Sequence, residues 1–180
     1  MKEESLRDLK AYGEEYPNWL ERNRSALEVK DWGSAFGDYP VLIYGDCPWA
    51  PMEKPLSSSR LGLLSTAGVY MKDDQPPFDA ENIEGDWRFR ELDITADKSD
   101  LAIAHTHFDH KYADADLNSV LPLDRLQDLV TEGVIGSLAP KAMSISGYCL
   151  RPDLIWEHTA PAIVAKMKEM EVDALLHIPV

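Results

Sequence analysis

Three short apolar runs, LGLLS at 61–65, LAIA at 101–104 and DALLHIPV at 173–180, have the length and continuity of strands buried on both faces. Such strands need helices to cover them, and the chain supplies two. PLDRLQDLVTEG opens with Pro122 and Asp124, sets Leu123, Leu126, Leu129 and Val130 on one face and stops at Gly133. A longer helix is predicted from Pro152 to Glu171, burying Leu154, Ile155, Ile163, Val164 and Met167. DWRFREL at 86–92 alternates with the period of a half-exposed strand, and VIGSLAP with KAMSISGY adds one more strand and a glycine turn at Gly147. The order β, β, β, α, β, α, β predicts an α/β fold: a three-layer αβα body around a mostly parallel sheet, its last run a central buried strand.

The leading segment reads differently. Leu6, Leu9, Tyr12, Tyr16, Trp19, Leu20 and Leu27 recur at near-helical spacing, interrupted by Gly13 and Pro17, which predicts two or three short amphipathic helices over 3–32. Pro40, Pro48, Pro51 and Pro55 then mark an irregular connector. The expected division is a helical N-terminal extension with its connector over 1–47 and an α/β domain over 48–180. Tyr12, Tyr16, Trp19 and Trp32 offer more aromatic surface than short helices bury alone, so they are expected to dock on the body or on a second subunit, in a homo-oligomer.

Charge narrows the partners. Eighteen Lys and Arg stand against 32 Asp and Glu, a formal net charge of -14 that repels phosphate backbones and anionic lipid headgroups. Neither nucleic acid nor membrane is expected. The N-terminus lacks the basic and apolar regions of a secretory signal, which predicts a cytoplasmic protein. Cys47 and Cys149 are far apart, without a disulfide framework, and read as small core or surface residues; Asp46 beside Cys47 would raise its pKa.

The chemistry gathers in LAIAHTHFDH, where three histidines and an aspartate fall within six residues. His105 is expected at the carboxyl end of a buried strand, where open α/β sheets place their ligands. The spacing H-x-H-x-D-H is also that of metallo-β-lactamase-type zinc hydrolases, with His105, His107, Asp109 and His110 as the alternative ligand set. That reading ranks last, because only His158 and His177 remain downstream as histidine ligands. A second small-residue turn, Thr66-Ala67-Gly68, follows the first strand and lets backbone N–H groups approach a ligand closely.

Four blocks in order, PWAPMEKPLSSSRLGLLSTAGVYMKDDQPPFD, GDWRFREL, HTHFDHKYADADLNSVLPLDRLQDLVTEGVIGSLAP and TAPAIVAKMKEMEVDALLHIPV, resemble the glycine, sarcosine, betaine and D-proline reductase family, in its selenoprotein B or substrate-specific subunit group. The resemblance carries over His105, Asp109, Asn118, Pro122 and Asp124. It implies reductive cleavage of a carbon–nitrogen bond in a small amine or amino acid, with a selenocysteine or cysteine attacking carbon and a dithiol or thioredoxin-like donor restoring the enzyme. Expelling the amine calls for a proton donor, assigned to His105 or His107, with Asp109 orienting the imidazole. Thr66, the Gly68 backbone and Asn118 are the expected substrate contacts. No bound cofactor is expected, zinc included; a pyruvoyl-bearing partner subunit serves family members that act on glycine or proline. In the family the last strand runs directly into the selenocysteine or cysteine of a U-x-x-C or C-x-x-C motif. The expectation is therefore that this nucleophile immediately follows Val180 and that the 180 residues alone are an inactive fragment. The alternative is a non-catalytic binding or accessory domain of the same fold.

Overall fold

The computed structural model describes residues 3–42 and 50–180. The chain divides into two units, Met1–Ala50 and Pro51–Val180.

In the first unit, one helix, α1 (Glu3–Glu28), replaces the two or three short ones expected, and a single turn, α2 (Trp32–Ala35), follows. Gly13 and Pro17 do not stop α1. Proline removes one N–H from the ladder, the one that would bond the carbonyl of residue 13, but the aromatic face stays continuous across the gap. Tyr12 stacks on Tyr16 at 5.4 Å, Tyr16 on Trp19 at 5.8 Å, and Tyr39 meets Trp19 edge-on at 4.8 Å. The Tyr12 and Tyr39 hydroxyls lie 3.0 Å apart. The aromatic rings of this face thus stack on one another within the unit.

The second unit carries β1 (Arg60–Ser65), β2 (Val69–Met71), β3 (Phe89–Asp93), β4 (Leu101–Ile103), α3 (Lys111–Ala115), α4 (Leu123–Thr131), β5 (Ser137–Leu138), β6 (Lys141–Ile145), α5 (Pro152–Leu154), a π-helical turn (Ile155–Thr159), α6 (Ala160–Glu169) and β7 (Ala174–Ile178). The α/β class holds, with a mixed, mostly parallel sheet. β1 runs parallel to β7 on one side and to β5 and then β6 on the other, while β3 is antiparallel to β6. Alternation along β1 divides its side chains. Leu61 and Leu63 join the apolar cluster that contains Leu123 and Leu126 of α4, and Leu64 joins Ile163 and Met167 of α6. Gly62 lies on the α6 side, where a Cβ would come within 2.8 Å of Met167 Sδ.

Several expectations need correction. LAIA does not enter the main sheet: β4 pairs antiparallel with β2 in a separate two-stranded sheet, Val69 opposite Ile103. The strand in DWRFREL begins only at Phe89, because Asp86 is taken up by an ion-pair network. The strand after α4 is broken at Ala139-Pro140 into β5 and β6, since proline cannot donate to the ladder. The long helix contains a π-helical turn, and Val164 is half exposed while Ile163 and Met167 are buried. β7 alternates between half-buried and exposed residues and pairs, among the described residues, with β1 alone; it is not a central buried strand. The α4 reading stands. Gly133 adopts φ 74° and the N–H of Val134 reaches back to the Leu129 carbonyl, closing the helix as a Schellman motif. Among the described residues no helix is long and apolar enough to cross a membrane.

Candidate functional site

The site is built where β1 leaves the main sheet. After Ser65 the chain crosses the carboxyl end of β6: Ala67 bridges Ser146, the Gly68 N–H donates to the Ile145 carbonyl at 3.0 Å, and the Gly147 N–H donates to the Thr66 carbonyl at 2.7 Å. Gly68 adopts φ 67°, and a Cβ there would lie 2.7 Å from the Ala104 carbonyl oxygen, so only glycine lets the end of β4 approach this closely. The Ala104 N–H then donates to the Gly68 carbonyl at 2.9 Å. The consequence is positional. His105, although β4 lies outside the main sheet, is brought over the carboxyl end of β6.

Three polar atoms converge above Gly147. A Cβ built on this glycine would lie 3.1 Å from Thr66 Oγ1, 3.1 Å from the Val180 carbonyl oxygen and 3.2 Å from His105 Nε2. Gly147 therefore lets these atoms close over a tight notch, too narrow for a Cβ without some shift of its neighbours, at the carboxyl ends of β1, β6 and β7, the ligand position of open α/β sheets. Thr66 is buried; its Oγ1 accepts the Val180 N–H at 2.8 Å, and its own proton has only a long contact, 3.5 Å, with the Val180 carbonyl.

His105 is 4% exposed and its Nε2 has no hydrogen-bond partner. Its Nδ1 accepts the His107 backbone N–H at 3.1 Å, so in the neutral ring the proton sits on Nε2 and points at the notch. Burial, followed by the neighbouring His107 and His110 rings, pushes the His105 imidazolium down from 6.5 to about 4. Between these two values the unfolded chain binds a proton that the folded chain refuses. The resulting stabilisation is full above pH 6.5 and disappears as pH falls toward 4, on the order of 3 kcal/mol at most. Urea midpoints measured from pH 7 to 4 are expected to fall steeply in the native protein and to flatten in His105→Gln.

The other histidines have separate duties. The His107 ring stacks face to face on Tyr148 at 3.7 Å and lies 5.9 Å from the His105 ring, while the Tyr148 hydroxyl is anchored on the Ile83 carbonyl at 2.7 Å. His110 Nε2 bonds the His105 carbonyl, with Phe108 packed between the two rings. Asp109 is exposed and accepts the Lys111 N–H at 3.0 Å, starting α3; no hydrogen bond joins it to either imidazole, contrary to the orienting role expected. His158 and His177 are exposed, His158 beside Trp87 at 5.5 Å. The alternative ligand set His105, His107, Asp109 and His110 is thus not brought to one point. Among the described residues no group of three or more His, Cys, Asp or Glu side chains is placed to hold a metal ion.

Two expected substrate contacts belong to the framework. The Gly68 N–H is spent on Ile145. Asn118 accepts the Asp124 N–H at 3.1 Å and donates to Asp116 and Asp124, which caps the start of α4. Burial, foremost, pushes the Cys149 thiol up to about 11, away from the thiolate form. The reading of Cys47 lies outside the described residues. Gly147 and Tyr148, by contrast, carry site geometry that sequence had registered only as a turn. The available signal was the repetition of a strand-then-glycine pattern at Gly68 and Gly147.

A family model described as glycine/sarcosine/betaine reductase selenoprotein B matches residues 35–178. The chain belongs to this family, as its four sequence blocks suggested. It is 33% identical over 128 residues to the D-proline reductase subunit gamma of Acetoanaerobium sticklandii, covering 71% of this chain and 51% of that one. It is 32% identical to the glycine reductase complex component B subunit gamma of Symbiobacterium thermophilum, over 56% of this chain and 24% of that one. To the sarcosine reductase complex component B subunit beta of Peptoclostridium acidaminophilum it is 29% identical, over 61% and 26%. The match spans about half the length of the first relative and about a quarter of the others. No solved structure matches the chain significantly.

Proposed function

We propose that this chain contributes the substrate side of a reductase that cleaves a carbon–nitrogen bond in a small amine or amino acid, taking two electrons from a dithiol. The balance is an amine R–NH2 and two thiols giving R–H, ammonia and a disulfide; a substituted nitrogen leaves as the corresponding amine. The observation that carries the reading is the convergence of the unpartnered His105 Nε2, Thr66 Oγ1 and Val180 at the carboxyl ends of the parallel strands. The family supports it, as does the placing of α4 and α6 against opposite faces of the sheet, which we read as the middle layer of a three-layer αβα fold.

A selenolate or thiolate of the kind the family implies would supply the nucleophile for the substrate carbon. His107 gives the departing nitrogen its proton: its ring is half buried, fixed flat against Tyr148 and two residues on from the notch-lining His105. A dithiol donor places the reaction in the reducing cytoplasm, within a complex whose partner subunit holds the pyruvoyl group where the substrate requires one. The test is stoichiometry. The assembled reductase, offered glycine, sarcosine or D-proline with dithiothreitol, should cleave one carbon–nitrogen bond per dithiol oxidised, giving ammonia from glycine, methylamine from sarcosine and a ring-opened primary amine from D-proline. Cleavage without thiol oxidation, or none with any of the three, would contradict the proposal.

A further inference from the structure

We infer that His105 is not the acid of the reaction but a fixed neutral donor, and that His105 Nε2–H and Thr66 Oγ1–H together form a two-donor seat for the carboxylate of the substrate. The inference rests on the reductase reading for its substrate and on the geometry for everything else.

The tautomer of His105 is set by its own loop. The His107 backbone N–H occupies Nδ1, and His110 holds the His105 carbonyl, so the ring is fixed at both its side-chain and main-chain ends. The Nε2–H that remains is buried and unpartnered, and a buried donor left unpaired costs on the order of 1–3 kcal/mol. A ligand oxygen that met it would recover this cost. Thr66 supplies the second proton, since its oxygen already accepts the Val180 N–H and its hydroxyl can turn from the long 3.5 Å contact toward a better acceptor. Both donors border the tight notch over Gly147, which a ligand oxygen enters only as the atoms around it give way. An ammonium group would find the Val180 carbonyl but also two donors turned against its own protons, whereas a carboxylate oxygen meets two donors against that one acceptor.

The role also explains why burial without a carboxylate partner is tolerated at this histidine. A proton-donating imidazolium needs a pKa near the working pH, which an exposed or carboxylate-paired ring provides. A neutral donor needs the opposite, a ring that refuses the second proton, and burial beside two other histidines ensures it.

The test is nitrogen-15 histidine NMR on the full-length protein at neutral pH, with acetate and methylammonium as separate probes for the two ends of an amino acid. The His105 ring should appear as the Nε2–H tautomer, its resonance should move with acetate and not with methylammonium, and Thr66→Val should weaken the acetate response about tenfold. His105→Gln, which keeps an N–H near the same place, should retain acetate binding better than His105→Ala. An Nδ1–H tautomer, an imidazolium, a response to methylammonium, or no response to acetate would each overturn the inference. Carbon–nitrogen cleavage separates the two readings: an acetate response in a protein that cleaves no amine leaves the seat standing and removes the reductase, and active reductase without an acetate response does the reverse.

Discussion

Asp86→Ala is expected to destabilise the Pro51–Val180 unit by about 3–5 kcal/mol, as unfolding in urea would measure. The carboxylate is 4% exposed and accepts Arg88 Nε at 2.8 Å, Arg88 Nη2 at 2.7 Å and the backbone N–H groups of Arg88 and Asp79 at 3.0 and 3.1 Å. Arg90, 7% exposed, has its Nη2 3.6 Å from the same carboxylate. Burial pushes the Asp86 carboxyl up, but the bonds from Arg88 and from the backbone outweigh it and leave the group below the usual carboxylate range. Its contribution is therefore full above the ordinary aspartate pKa of 3.8 and is lost as pH falls below it. Alanine would strand the Arg90 guanidinium, whose remaining contacts are the carbonyls of Pro76, Pro77 and Phe89 and the face of Phe78 at 4.3 Å. Arg88→Ala should cost much less, because that side chain is half exposed and its loss leaves Asp86 its backbone donors and Arg90.

Gly85→Ala should be as severe, about 3 kcal/mol or more, and should also reach the site. Gly85 adopts φ 77°, where a side chain is strained in itself, and a Cβ would lie 2.2 Å from the Tyr148 carbonyl oxygen and 2.8 Å from Cys149 Cα. Both obstacles are backbone, held by the bridge between Gly85 and Cys149. Relief therefore means moving Tyr148, the residue on which His107 is stacked. Loss of melting temperature accompanied by a changed His107 ring environment in NMR is the expected result; a destabilised protein with His107 unmoved would show that Tyr148 does not transmit the change.

The strand and helix order was largely legible because apolar runs and helical faces are local patterns. LGLLS, KAMSI, ALLHI and the α4 helix lie where their residues put them, and the glycine stop of α4 follows from one αL residue. Pairing was not legible. LAIA is as apolar as a main-sheet strand, yet its partner is β2, a three-residue strand that exists only because Gly68 turns the chain out of the sheet. The site was legible in part for the same reason. His105 was expected at a strand end and lies at the ends of three others, reached through long-range contacts no spacing encodes. Asp109 and Asn118, by contrast, satisfy backbone groups two and six residues away, the ordinary work of Asx residues at turns and helix starts.

Gly147→Ala tests the central claim most directly. Gly147 does not have positive φ, so alanine suits its backbone, and the added methyl would crowd Thr66 Oγ1 and the Val180 carbonyl at 3.1 Å and His105 Nε2 at 3.2 Å. Steady-state kinetics of the assembled reductase should show cleavage of its substrate abolished or its KM greatly raised, in a protein that still unfolds cooperatively on heating. A stable Gly147→Ala enzyme with native kcat and KM would place the substrate elsewhere and contradict the account.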